Sequence, residues 1–418
     1  MIFRKRLTII SFVIILSGLV IFPANAQEEL QDRSTIFENS IYRQLMTASK
    51  KNLTEKLNQS VTDNGITVTL NEIYYFDNEL SYSMTVESKK KFTNEESTEN
   101  NLIAEPFRYL GRPHIKYNGK TINFASSLWY EKVSDKKVAM ILKVHPNTKI
   151  SNNEVFEMTF NQVMNTKGYW NFKMPVKEAD NNVIKIDNAA KKEGDVKLEL
   201  HHIKWNDAEV SVNFTEERSL TNADMVAFNL ITDNGDALEL FTGYQSSISQ
   251  INQEDNTVTT EYFFKFALPE DGVSQLTFSP HIDAEFYQTL TKSSEKLDPK
   301  ELPITLSQGE IGSLLITDIE YKDDKTIVTY EDHLKYPISQ VYPGNNIWLE
   351  NNSHKNVSSV YIVRNLLGKV KPVGLHNTYI AEFPVTGIES SPLKVASWLY
   401  PYPEVFEKLQ YTIPLDGF

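Results

Sequence analysis

The chain has 418 residues, no cysteine, 42 Lys and Arg against 55 Asp and Glu, and a formal net charge of −13. Without cysteine it has no disulfide, thiolate metal site, nucleophilic Cys or lipid-modified Cys, so ordinary cores must stabilise it, which suits domains of ~100 residues or more. The acidic balance excludes nucleic acid or anionic lipid held by bulk charge, since both need a positive surface.

The N-terminus reads as an export signal. Arg4, Lys5 and Arg6 precede an uncharged run from Leu7 to Phe22, and Pro23-Ala24-Asn25-Ala26 follows. Ala24 and Ala26 occupy the −3 and −1 positions of an A-x-A cleavage site, so the mature chain is expected to begin at Gln27. The alternative is an uncleaved anchor. The run is about 24 Å long as a helix, short of the ~30 Å hydrocarbon core, which favours cleavage. In either case the body lies outside the cytoplasm, because the positive charges stay inside. Removing residues 1–26 takes away three positive side chains, leaving −13 − 3 = −16. Absence of Cys is common among proteins exported by Gram-positive bacteria, so a cell surface is the natural setting. No C-terminal sorting motif and no second membrane-length apolar run appear.

In chain order, residues 27–58 form a helical lead-in. Ile36, Phe37, Ile41, Leu45, Met46, Leu53 and Leu57 recur at spacings near three, four and seven, which predicts one amphipathic helix or two short ones. From Gly65 the period becomes two. Ile66, Val68 and Leu70 alternate with polar residues, Ile73-Tyr74-Tyr75 leads into Asp77-Asn78-Glu79, and Leu80, Tyr82, Met84 and Val86 resume the alternation. This strand–turn–strand unit recurs from Gly194 and from Gly312, with anchor residues Ile73, Ile203 and Ile319 spaced 203 − 73 = 130 and 319 − 203 = 116 apart. Each unit continues with an apolar strand, a proline and a second strand: Val138–Val144 then Val155–Phe160, Tyr262–Leu268 then Leu276–Phe278, Tyr379–Phe383 then Leu393–Val395. Each closes on a proline-bearing strand, Phe172–Val176, Leu302–Leu306 and Tyr411–Leu415, expected at sheet edges because proline has no ladder N–H. The pattern predicts a mainly β protein of tandem immunoglobulin-like antiparallel β-sandwiches with a short N-terminal amphipathic helix. The domains read as 59–178, 190–306 and 307–418, with linkers near 178–193 and at Gln308-Gly309.

Chemistry-bearing patterns are few. The eight histidines, His114, His145, His201, His202, His281, His333, His354 and His376, form no compact ligand spacing. Adjacent His201 and His202 are expected on opposite faces of one strand. Asp323-Asp324 and Glu216-Glu217 read as solvated turns or strand ends. No nucleophile elbow, phosphate loop or dinucleotide fingerprint appears, so neither enzyme activity, cofactor nor metal is implied. Aromatics are the one candidate surface. Trp129, Tyr130, Trp398, Tyr400 and Tyr402, with Tyr169-Trp170 and Tyr336 to Pro343, could line a carbohydrate or peptide groove, or fill cores and sheet corners. The expected partner is an envelope protein or cell-wall polymer. A membrane is a partner only if the N-terminal segment is uncleaved.

Leu57 to Leu70, continuing to Tyr82 and Val86-Glu87-Ser88, with the lead-in Leu53-Thr54-Glu55-Lys56-Leu57, resembles the opening of a bacterial extracytoplasmic domain of unknown function, number four-one-seven-nine. The central unit is similar in style to the immunoglobulin-like companion that often follows it. The resemblance implies the outer part of an anti-sigma-factor-like single-pass membrane protein of spore-forming Gram-positive bacteria. In such proteins a short cytoplasmic sigma-binding domain precedes the membrane helix. Here six residues precede the apolar run, which argues against direct anti-sigma activity. The resemblance implies no catalytic residues.

These readings lead to an exported, non-enzymatic envelope protein with a binding or sensing role. The alternatives are an N-terminally anchored envelope-stress signalling component and a wall-polymer enzyme with an interdomain site.

Overall fold

The computed structural model describes residues 36–40, 42–91, 110–152, 154–186, 190–220, 226–245, 250–269, 272–282, 291–334, 347–350, 369–373, 377–384, 393–400 and 402–415. Ala24, Ala26, Gln27, His354, His376 and the Tyr336–Pro343 stretch lie outside them. The described residues are mainly β, 66% strand against 5% helix, in antiparallel sheets.

Among the described residues helix α1 (Arg43–Lys50) comes first. The first sandwich then contains β1 (Glu55–Asp63), β2 (Ile66–Phe76), β3 (Glu79–Ser88), β4 (His114–Tyr117), β5 (Lys120–Thr121), β6 (Phe124–Ser134), β7 (Lys137–Pro146), β8 (Glu154–Val163) and β9 (Thr166–Val176). One sheet has the order β1-β2-β3-β7-β6 and the other β5-β4-β8-β9. Between them lies a core that includes Val68, Tyr82 and Leu142 from the first sheet with Phe156, Trp170 and Met174 from the second. The lead-in is therefore shorter than its apolar spacing suggests. Residues from Glu55 onward belong to β1, because Asn64 and Gly65 take positive φ and fold β1 back onto β2.

A sandwich is present, but its strand order differs from that of immunoglobulin domains, whose second and third strands lie in opposite sheets. Here β2 and β3 are hydrogen-bonded neighbours. Asp77 and Asn78 both adopt positive φ, at 42° and 62°, making a two-residue hairpin turn that keeps the two strands in one sheet.

The second domain contains β10 (Asn182–Lys185), β11 (Lys191–Glu193), β12 (Val196–Trp205), β13 (Val210–Ser219), β14 (Val226–Thr232), β15 (Leu240–Gln245), β16 (Gln250–Asn252), β17 (Thr257–Phe266) and β18 (Gln275–Ile282). The stretch expected as a linker carries β10 and β11, which pair in succession along β12. The third contains β19 (Lys292–Lys296), β20 (Ile304–Ser307), β21 (Gly312–Tyr321), β22 (Thr326–Leu334), β23 (Ile347–Glu350), β24 (Lys369–Val373), β25 (Thr378–Phe383) and β26 (Lys394–Trp398). Finally β27 (Glu404–Val405) and β28 (Tyr411–Pro414) return to the second domain, where both pair with β18.

Backbone register supports the internal repeat. The ladders β2–β3, β12–β13 and β21–β22 each shift register at one residue, Asn71, His201 and Thr317, two before the anchors Ile73, Ile203 and Ile319. A bulge flips which parity faces the core. Val196, Leu198 and Leu200 point inward before it, and Ile203 and Trp205 after it. His201 and His202 thus both fall outside the core positions, which corrects the expectation of opposite faces.

The closing strands do not follow the tandem order. Phe172–Val176 closes the first domain within β9. Ile304–Ser307 instead pairs with β21 inside the third domain. Gln308 donates its backbone N–H to the Gly312 carbonyl at 2.9 Å, so Gln308-Gly309 is part of a turn within that domain and not a linker. The edge left open on β18 is filled by β28, and Tyr411, Ile413 and Leu415 are buried in the second core. The third domain is therefore inserted between the last two core strands of the second. The boundaries at 306 and 418 become an exchange of strands. Truncating Ile413 to Ala should destabilise the second domain by about 2–5 kcal/mol. In hydrogen exchange the amides of β18 should lose protection while those of β26 keep it; the reverse pattern would place β28 with the third domain.

Candidate functional site

The five aromatics singled out from the sequence do not form one groove. Trp129 packs partly buried against the cluster of Phe37, Leu45, Tyr74 and Phe76, while its neighbour Tyr130 is 39% exposed. In the third domain Trp398 stacks obliquely on Trp348 at 4.8 Å and packs with Ile311, Leu334 and buried Tyr400. Tyr402 is 49% exposed, and its backbone N–H donates to Glu310. Trp170 is wholly inside the first core, with its indole N–H on the Ile66 carbonyl. Of the carboxylate pairs, Asp323 and Asp324 are solvated, whereas Glu216 is buried beside Tyr262, and burial raises its carboxyl above the ordinary range.

What the fold brings together is charge. Glu79 and Glu209 stand at the start of β3 and just ahead of β13, and Lys143 and Lys265 lie across the ladder from Ser81 and Ser211. The two Glu-x-Ser/Lys sets occupy equivalent positions of two repeats, and they meet where the first two domains touch. Lys265 lies 3.5 Å from Glu209 and 3.9 Å from Glu79, and Lys143 lies 3.7 Å from Glu79. All four residues are buried, with Lys265 and Glu209 fully so. Lys265 also donates to the Phe76 carbonyl at 2.7 Å, and Asn206 donates to the Tyr74 hydroxyl at 2.9 Å. At the rim, Asp77 in the β2–β3 turn accepts from Ser211, faces Lys204 at 3.1 Å and His202 at 3.3 Å, and Lys204 also holds Glu178.

In the third repeat the set is inverted. Lys325 and Glu382 take the places of the glutamate and the lysine, Ile327 replaces the serine, and the pair is a half-exposed ion pair at 2.7 Å.

Burial opposes ionisation of every group in the network, and the neighbours decide the outcome. Burial alone would raise Glu79, but Lys143, Lys265 and His145 outweigh it and hold the carboxyl low. Glu209 goes the other way: burial raises it, Lys265 does not fully compensate, and Glu79 adds repulsion. Burial depresses Lys143 despite Glu79 and Glu209. His145, 3.6 Å from Glu79, is pushed down to about 4, chiefly by burial.

A second cluster joins all three domains through α1. Every α1 residue except Lys50 is buried. Ser49 near its C-terminal end donates to Glu72 of the first domain at 3.2 Å, and Glu72 also accepts from Thr54 and Lys56. At the other end Arg43 lies 3.4 Å from Glu239 of the second domain and donates to the Thr378 carbonyl of the third at 3.0 Å. Its guanidinium sits 5.0 Å above the Tyr379 ring. No group of three or more His, Cys, Asp or Glu residues positioned to hold a metal occurs among the described residues.

Sequence reading missed both clusters. The available signal was a lone lysine in each of two matching apolar strands, Lys143 within Val138–Val144 and Lys265 within Tyr262–Leu268.

Residues 1–88 match the family model described as a domain of unknown function, DUF4179, so the opening of this chain resembles that family. None of the curated proteins matches the chain. Among solved structures, a conserved domain protein from Bacillus anthracis is similar at 17% identity and a TM-score of 0.46, over 64% of this chain and 92% of that one. A likeness that loose defines neither fold nor function here.

Lys265→Met should destabilise the chain by about 3–5 kcal/mol in chemical denaturation, because it leaves buried Glu209 without its paired cation. The His145 imidazole should titrate near 4 by NMR. Its pKa is depressed on folding, so the unfolded chain binds the proton first as pH falls. Stability should therefore drop between pH ~6.5 and ~4, by ~3 kcal/mol at most, and His145→Gln should remove that part of the acid sensitivity.

Proposed function

We propose that the protein is an exported, non-enzymatic component of a bacterial envelope that binds or senses through its β-sandwich domains. The observation that carries this reading is the position of α1. Helix α1 is buried against all three domains and is tied to each by a polar contact. A change in how the domains sit, caused by a ligand or by load on the wall, would be felt at the N-terminal segment. The buried glutamates support this reading over catalysis, because they face lysines inside an interface. Exposed Tyr130 and Tyr402 are the candidate contact residues for a wall polymer or an envelope protein.

The same observation favours a second reading, an N-terminally anchored signalling component, since a retained anchor would connect α1 to the membrane. Mass spectrometry of the native protein distinguishes the two: a mature terminus at Gln27 supports release, and an intact Met1 supports the anchor. For the binding role, the purified chain should be retained by isolated cell-wall fractions and lose that retention on Tyr402→Ala or Tyr130→Ala. Absence of retention by the parent chain would count against wall binding.

A further inference from the structure

The charge network between the first two domains uses Glu79 on β3 and Lys143 on β7, both in one sheet of the first sandwich. The opposite sheet, β5-β4-β8-β9, turns its outer face to solvent. Phe156, Met158 and Phe160 of β8 and Trp170, Phe172 and Met174 of β9 point into the core. The residues between them therefore alternate outward, which puts Glu157 and Thr159 beside Tyr169, Asn171 and Lys173 on one face.

Tyr169 is 59% exposed, yet it is held in place. Its backbone N–H donates to Asp63 at 2.7 Å. Asn171 Nδ2 donates to Glu157 and to Thr159, both at 2.8 Å, and reaches the Tyr169 hydroxyl at 3.3 Å. Tyr169 and Asn171 are two residues apart on the same face, so the hydroxyl can meet the amide only if the ring leans along β9. A ring laid down in this way presents a flat side to solvent. Asn171 spends its Nδ2 on the sheet, and its Oδ1 accepts from no described residue. Lysines surround this platform. Exposed Lys167 and Lys173 lie on either side of it along β9, about 20 Å apart at the strand rise, and exposed Lys116 faces Glu157 from β4. The opposing carboxylates are already engaged: Glu157 by Asn171 and by Lys173 at 3.7 Å, Asp63 by the Tyr169 N–H.

We propose that this outer face of β4, β8 and β9 binds an extended acidic polysaccharide, with a sugar ring stacked on Tyr169 and carboxylates of neighbouring sugars meeting Lys116, Lys167 and Lys173.

A pyranose ring has an apolar C–H side and a rim of hydroxyls. The Tyr169 ring suits the first, and Asn171 Oδ1 can accept from the second. Because the platform is fixed before the ligand arrives, little ordering entropy is lost on binding. The charge of the ligand follows from the lysines. Three cations against two engaged carboxylates make this face positive on a chain whose net charge is −13, so an acidic chain is attracted here and repelled by the bulk of the molecule. Spacing separates a polysaccharide from a nucleic acid. Nucleic acid carries roughly one charge per 3.4 Å of each strand, which would outnumber the lysines and crowd Glu157 and Asp63. A glycan with an acid on alternate sugars spreads its charge more thinly. The face lies on the other sheet from Tyr130, and its chemistry holds whether or not the envelope reading is right.

The test is isothermal titration calorimetry of the full chain with a hyaluronan hexasaccharide, a neutral chitin hexasaccharide and a thymidine oligonucleotide. The hyaluronan fragment should bind about tenfold more tightly than the chitin fragment, and less tightly as salt rises. Tyr169→Ala should weaken that binding about tenfold, while Tyr169→Phe, which keeps the ring, should stay near the parent. Glu157→Gln removes an opposing charge and should strengthen it. Failure of the parent to bind hyaluronan, equal binding of chitin, tighter binding of the oligonucleotide, or indifference to Tyr169→Ala would each overturn the proposal.

Discussion

Two lysines and two glutamates, removed from water together where the first and second sandwiches meet, constrain the rest of the molecule. A buried charge is tolerated only beside its opposite, so Glu79, Lys143, Glu209 and Lys265 fix how closely and in what orientation the two domains approach. Either domain alone would expose these groups to water. The contact therefore acts as a specific lock, whose value is orientation more than net stability.

The lock uses repetition. Because the domains share a strand plan with a bulge at Asn71, His201 and Thr317, the same outward positions recur in each copy. Matching Glu and Lys residues at those positions make two faces that complement each other. The third copy carries the charges reversed and partly solvated, and it is tied to the second domain differently, by insertion. Two chain crossings and the borrowed strand β28 join it to its neighbour, where a simple tandem array would have one linker. Helix α1 then ties the assembly together, with Ser49 holding the first domain and Arg43 holding the second and third.

Much of the local structure was legible in the sequence. The period-two runs gave strands, Asp77-Asn78 gave a turn between two of them, and the spacing of Ile73, Ile203 and Ile319 gave the repeat, because these signals depend on residues near in sequence. The helical lead-in was overestimated for the converse reason: Leu53 and Leu57 satisfy a helical spacing, but pairing with β2 claims the chain from Glu55. The charge clusters were invisible because each member looks ordinary alone. Lys265 is one charge in an apolar strand until Glu79, far away in sequence, is folded onto it.

By itself the sequence determined the class of structure, the three repeats, the turns between strands and the expectation of export, all of which follow from local pattern and composition. Only the tertiary structure decided which strand closes which domain, that both His201 and His202 sit outside the core positions, and that Arg43 joins three domains. Those outcomes turn on hydrogen-bond register and on desolvation of charges brought together from distant parts of the chain, and neither quantity is written in any short stretch of residues.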